Sequence, residues 1–178
     1  TEVSPDIAVC QECLDDMKKD PERIDYPFTN CTNCGPRFTI IETLPYDRPR
    51  TSMKSFSMCE KCKQEYDDIL DRRFHAQPVA CNSCGPSYHY KDASLNIASL
   101  RKIIERISIQ ISSGKTIAVK GLGGYFLMCD ALNEEAVRKL RQKKNRDAKP
   151  FAVMFRDISE AKKFCVIDAD EEKELTSW

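Results

Sequence analysis

Two rhythms of apolar and polar residues run along the chain, and the change between them falls near residue 90. In the C-terminal half Leu100, Ile103, Ile104, Ile107 and Ile111 recur at helical spacing and predict a one-faced amphipathic helix. Ser94 or Asn96 is placed to cap its start, and Gly114 to end it. Residues 116–120 (TIAVK) form an apolar run of strand length, followed by the glycine turn Gly121-Leu122-Gly123-Gly124 and a second strand over 125–129. Asn133 then stands as an N-cap, with Glu134 and Glu135 in the first turn where the helix dipole favours them. Residues 151–155 (FAVMF) read as a third strand and 159–163 as a short helix, before the pair Val166-Ile167 and an acidic tail through Glu174. Helix, strand, strand, helix, strand and helix within about 85 residues predict an α/β or α+β layered fold.

Before residue 90 cysteine sets the pattern. Cys10 and Cys13, Cys31 and Cys34, Cys59 and Cys62, and Cys81 and Cys84 form four Cys-x-x-Cys knuckles. Within the two halves the knuckles are 17 and 18 residues apart, and 24 residues separate the halves. Two residues between cysteines let one tight turn bring both sulfurs to a tetrahedral metal at about 2.3 Å, and the longer gaps suit a four-cysteine finger. The halves are an internal repeat of about 50 residues, since Cys31-Thr32-Asn33-Cys34-Gly35-Pro36 matches Cys81-Asn82-Ser83-Cys84-Gly85-Pro86. Glycine after the knuckle permits a sharp turn with N–H groups aimed at sulfur. Residues 26–28 (YPF) and 74–78 (FHAQP) are expected to form the small core of each finger.

Eight cysteines make two full ligand sets, which points to closed, structural zinc sites rather than catalytic ones with an open position. Local pairing (Cys10, Cys13, Cys31, Cys34; then Cys59, Cys62, Cys81, Cys84) is simplest, with an interleaved pairing of first knuckle and fourth as the alternative. His75 and His89 read as surface or outer-layer residues, and Cys129 and Cys165 as small buried hydrophobes.

Composition adds bounds. The 178 residues suit one domain or two small ones, with 41% hydrophobic and 8% aromatic residues. Lys and Arg number 28 and Asp and Glu 28, so no global charge draws the chain to nucleic acid or an anionic membrane. Each four-thiolate zinc site carries about −2, which places the loaded chain near −4. No apolar run approaches the roughly 18 residues of a span, and no basic-then-apolar leader is seen, so a soluble, cytoplasmic protein is expected. The chain opens on Thr1 rather than Met and reads as a piece of something longer.

Two features of the second half suit anion chemistry. Lys120 precedes the glycine turn, where Gly123 and Gly124 allow close backbone approach to a phosphate and Tyr125 begins the next strand; a plain hairpin turn is the competing explanation. Arg138, Lys139, Arg141, Lys143, Lys144, Arg146 and Lys149 place seven cations in twelve residues, opposed only by Asp147. Pro150 stops that helical segment and throws Lys144, Arg146 and Lys149 onto a loop leading to FAVMF.

The knuckle order, the CGP repeats, FHAQP and then KGLGGYFLMCDA and LRQKKNRDAKPFAVMF resemble the HypF-type carbamoyltransferases of nickel–iron hydrogenase maturation, across nearly the whole chain. The resemblance implies an α+β protein: a zinc-stabilised tandem four-cysteine finger region over 1–90, then over 91–178 the N-terminal part, only, of an α/β YrdC-like domain. It implies an enzyme that uses ATP and carbamoyl phosphate to form carbamoyl adenylate and carbamoylates the C-terminal cysteine of HypE, for cyanide-ligand synthesis. It also implies that Lys120, Gly123, Gly124, Tyr125, Lys144, Arg146 and Lys149 hold the nucleotide, with catalytic residues unassigned and the piece alone inactive. Two rival readings are a zinc-dependent module that binds double-stranded RNA and a DnaJ-like module that docks a protein. KGLGGY and KPFAVMF do not suit the docking module; against RNA, the cations are gathered in one helix and loop rather than spread over the fingers, and the net charge is zero or below.

Overall fold

The computed structural model describes residues 3–4, 6–121 and 124–177. The chain divides into two compact units, Thr1–Ile104 and Glu105–Trp178.

In the first unit the cysteine repeat is also a repeat of structure. Helix α1 (Gln11–Lys19) starts from Cys10 and α2 (Glu60–Asp67) from Cys59, so the first knuckle of each half is a helix N-terminus. Glu12 near the start of α1 and Lys18 and Lys19 at its end complement the helix dipole. Both helices stop at an aspartate, Asp20 or Asp68, whose carboxylate accepts from the backbone N–H two residues on. Each then makes a tight return through a left-handed residue: Asp25 (φ 58) donates its N–H to Met17 at 3.0 Å, and His75 (φ 52) donates to Tyr66 at 3.0 Å. The second knuckle of each half is a single tight turn, a 3₁₀ turn at Thr32–Cys34 in the first.

The expectation that each finger builds its own core holds only in part: Ala76 and Val79 pack with Cys62 and Cys81 in the second half, but the aromatic residues of the first half are shared. Tyr26 from the first half is buried with Met53 of the linker and Ala80 of the second half, flanked by Phe28, Ile40, Phe56 and Cys84. The halves interlock because neither has enough apolar side chains to cover itself. Arg48 ties the linker into the same centre: 8% exposed, it donates to the carbonyls of Gln77 (2.7 Å), Val79 (2.8 Å) and Phe56 (2.7 Å).

A small hairpin, β1 (Tyr90–Lys91) with β2 (Asn96–Ile97), follows. Asp92 shapes its turn by accepting from the N–H groups of Ser94 and Leu95 at 2.9 Å. These contacts hold Asp92 well below the usual carboxylate range, led by the Ser94 N–H and then the Tyr90 hydroxyl. Ser94 and Asn96 therefore serve the hairpin and do not cap α3 (Leu100–Ser112), which is led in by Ser99. Gly114 (φ 77) ends α3 as expected.

In the second unit β3 (Ile117–Lys120) pairs antiparallel with β4 (Tyr125–Met128), Lys120 opposite Tyr125. Helix α4 (Glu134–Lys144) begins where Asn133 accepts from the Ala136 N–H at 3.0 Å, and ends at left-handed Asn145. Residues 151–155 form no strand, since no described segment lies alongside to complete a ladder, and Met154 is 95% exposed. The short helix is α5 (Ile158–Ala161). The acidic tail is instead a helix, α6 (Ala169–Leu175), started by a capping box between Asp168 and Glu171. Cys165 is exposed and Cys129 half-buried, so neither is the core residue expected of it; Cys165 sits in the turn that ends α5. Among the described residues no helix is long and apolar enough to cross a membrane.

Candidate metal centres and anion-binding loop

The four sulfurs of Cys10, Cys13, Cys31 and Cys34 converge, as do those of Cys59, Cys62, Cys81 and Cys84, each set lying within 4.8 Å. The grouping is local within each half, and the interleaved alternative is excluded by this geometry. Helix α1 or α2 presents the first pair from its N-terminal turn, and the tight turn at 31–34 or 81–84 presents the second. Sulfur separations of 3.6 Å (Cys10 to Cys31) and 3.7 Å (Cys31 to Cys34, Cys59 to Cys81, Cys81 to Cys84) match the edge of a tetrahedron with metal–sulfur bonds near 2.3 Å. The residues present therefore fit a bound metal ion in each half, with the coordination sphere closed by protein.

Electrostatics around the sulfurs differs from one cysteine to the next. Burial pushes the Cys31 and Cys62 thiols far up, and Cys13 up as well, although the Arg72 guanidinium opposes that shift. Cys34 goes the other way: burial is outweighed by the Cys10 N–H at 3.2 Å and the neighbouring donors, which bring it down to about 7. Arg72 donates to Cys13 Sγ at 3.0 Å and Arg23 to Cys62 Sγ at 3.5 Å. Sequence reasoning missed both arginines, because the contacts span 59 and 39 residues. The two histidines take no part: His75 packs on Tyr66 and Phe74, and His89 lies 3.1 Å from the Ser87 hydroxyl.

In the second unit, Lys120 ends β3 with its ammonium 5.6 Å from the Tyr125 ring centre, and Gly121 N–H donates to Gly124 across the turn at 2.7 Å. Gly123 lies outside the described residues. The segment is a hairpin end, with Lys120 and Tyr125 exposed on it.

The basic cluster is sorted by its contacts. Arg138 and Lys139 are taken up by Glu135 (2.7 and 3.3 Å). Lys144 is the last residue of α4, while Arg146 and Lys149 lie on the loop. Arg141 organises that loop: its guanidinium donates to the carbonyls of Arg146, Asp147 and Lys149 at 3.1, 3.2 and 3.3 Å and stacks on Phe151, as Arg146 does. Among the described residues the ammonium groups of Lys143, Lys144 and Lys149 pair with no acid, and no hydrogen bond joins this loop to the hairpin end. The loop is thus a pinned turn carrying free cations, a geometry suited to phosphate.

Comparison with known proteins agrees with both parts. Residues 9–41 and 58–90 match the family described as HypF finger, and residues 110–177 match the Sua5, YciO and YrdC family, described under telomere recombination. The chain is thus of a two-finger class joined to a YrdC-like region. It belongs to the HypF family: it is 48% identical to the carbamoyltransferase HypF of Rhodobacter capsulatus over 157 residues, 88% of this chain and 21% of that one. It also superposes on a crystal structure of full-length HypF in the phosphate- and nucleotide-bound form, with TM-score 0.86 and 51% identity over 98% of this chain and 23% of that one. The HypF of T. kodakarensis gives TM-score 0.87 and 49% identity over 99% and 23%. The chain spans little more than a fifth of the length of these relatives.

Proposed function

We propose that this chain is the finger region and adenylate-facing part of a carbamoyltransferase. In this reading the enzyme hydrolyses carbamoyl phosphate to carbamate and phosphate, and joins the carbamate to the α-phosphate of ATP with loss of pyrophosphate. It then passes the carbamoyl group of the adenylate to the C-terminal cysteine sulfur of HypE with release of AMP, as the source of cyanide for a nickel–iron hydrogenase. Support comes from the carbamoyltransferases this chain resembles and from the phosphate- and nucleotide-bound form in which one of them was crystallised. The observation that carries it is the Arg141-pinned loop with Lys144, Arg146 and Lys149 around it. These cations would hold the phosphates, with Lys120 and the backbone at Gly123, Gly124 and Tyr125 receiving the adenylate. Cys10, Cys13, Cys31 and Cys34, and Cys59, Cys62, Cys81 and Cys84, would each hold one zinc ion; zinc there supplies folding rather than chemistry, since four thiolates leave no open position. Eight reduced thiols suit the cytoplasm.

The test is ATP–pyrophosphate exchange that depends on carbamoyl phosphate, measured in the full-length protein. Removing two phosphate-binding cations with the pair R146A and K149A lowers exchange at least about tenfold, by about 1.4 kcal/mol or more of lost binding. Unchanged exchange would sink the nucleotide assignment, and robust exchange by the 178-residue chain alone would refute its dependence on the rest of the enzyme.

A further inference from the structure

Each half of the repeat sends an arginine to a sulfur of the other. Arg72 lies between Cys62 and Cys81, inside the segment that the second cysteine group closes, yet it donates to Cys13 Sγ at 3.0 Å and pairs with Asp16, both in the first half. Arg23 lies between Cys13 and Cys31, yet it donates to Cys62 Sγ at 3.5 Å, to the Ala80 carbonyl at 3.2 Å and to Glu65, all in the second half. Asp20 holds the other face of Arg23 at 2.7 Å. The backbone repeats the exchange: the Thr32 N–H donates to Arg72 at 2.9 Å, and the Asn82 N–H to Glu22 at 3.1 Å. Arg73 closes the network between Asp16 and Glu65. Arg23 is 1% exposed and Arg73 5%, while Arg72 and Asp16 are half-buried, so the network runs from inside the unit to its edge.

A thiolate accepts a charged N–H more strongly than a thiol does, so each arginine contact strengthens when a metal ion ionises the sulfur it touches. The loop carrying each arginine is also the loop its own metal closes. Filling one half therefore fixes the donor that favours the other. We propose that Arg23 and Arg72 couple the two four-cysteine groups into one cooperative unit, in which a metal ion held by either half raises the affinity of its neighbour. This rests on the metal reading above and goes beyond it, since two independent fingers would satisfy that reading equally well.

The experiment is a cobalt(II) titration of the metal-free, reduced chain, followed by thiolate-to-cobalt charge-transfer absorbance and native mass spectrometry. Coupling makes the doubly loaded chain appear from the first additions, with the singly loaded species about tenfold scarcer than independent binding gives. In R72Q the singly loaded chain accumulates with its ion in the second group, seen as alkylation of Cys10, Cys13, Cys31 and Cys34 while the other four stay protected. In R23Q the occupancy reverses. R72K and R23K, which retain the charge and so guard against simple misfolding, shift the same way by less. Statistical loading in the unaltered chain overturns the coupling, as does emptying of the group whose own loop carries the replaced arginine. Absence of any charge-transfer band would overturn the metal reading itself, whereas two independent equivalents would leave it standing.

Discussion

Gly35 and Gly85 hold the same place in the repeat for different physical reasons. Gly35 sits at φ 69, in the left-handed region, with only Ile7 near its missing side chain at 3.6 Å. Gly85 needs space: an added Cβ would fall 2.7 Å from the Ala80 Cβ and collide with the Tyr26 hydroxyl. Alanine at 35 should cost about 1 kcal/mol of conformational strain, and at 85 up to about 3 kcal/mol of overpacking. Chemical denaturation of the metal-loaded variants checks this, and an order with G35A worse than G85A would contradict it. The repeated CGP is plain in the sequence, but the separate demands on its glycines are not. Tyr26 reaches Gly85 only because the halves interlock, and spacing along the chain does not reveal that. The same holds for Arg48, whose three carbonyl partners lie up to 31 residues away.

Elements were legible where their cause is local. Asn133 caps α4 and Gly114 ends α3 as the residues predict, and the β3–β4 hairpin follows from two apolar runs around a glycine turn. The capping box of α6 is equally local, in Asp168 and Glu171, but it lies within a run of acids whose composition alone suggests a solvated tail. FAVMF failed for the opposite reason, because a strand is made by its neighbour and not by its own composition. Arg141 falls between these cases: it belonged to a visible cation cluster, but its task is to shape the loop rather than to face an anion. Replacing it by alanine removes three backbone hydrogen bonds and the Phe151 stack, which should cost about 1–2 kcal/mol locally. Hydrogen exchange of residues 145–149 should accelerate roughly tenfold with the α4 interior unchanged, and lysine should not rescue, lacking the planar fork. Protection of the loop that survives R141A would return its shape to α4 and Pro150 alone.

At the scale of the molecule, the two units differ in what holds them together. Among the described residues of the first unit, five of the eleven buried apolar residues are cysteines: Cys13, Cys31, Cys34, Cys62 and Cys81 stand with Tyr26, Met53, Ala76, Val79, Ala80 and Ile103. Two bound zinc ions would hold such a core together, since a structural zinc contributes on the order of 10 kcal/mol. Chelation should therefore strip hydrogen-exchange protection from residues 10–90 while α4, built on Ala136 and Leu140, keeps its own. The pH dependence has a definite sign. Cys13, Cys31 and Cys62 are raised above the ordinary thiol, so at neutral pH they are protonated without metal and must release protons to bind it. Metal affinity falls as pH drops, and acid should unfold the first unit at a pH that rises when chelator is added. Calorimetry across pH with and without chelator makes the comparison. A transition of the first unit indifferent to both would mean that the interlocked side chains and the arginine network, not the metal ions, carry its stability.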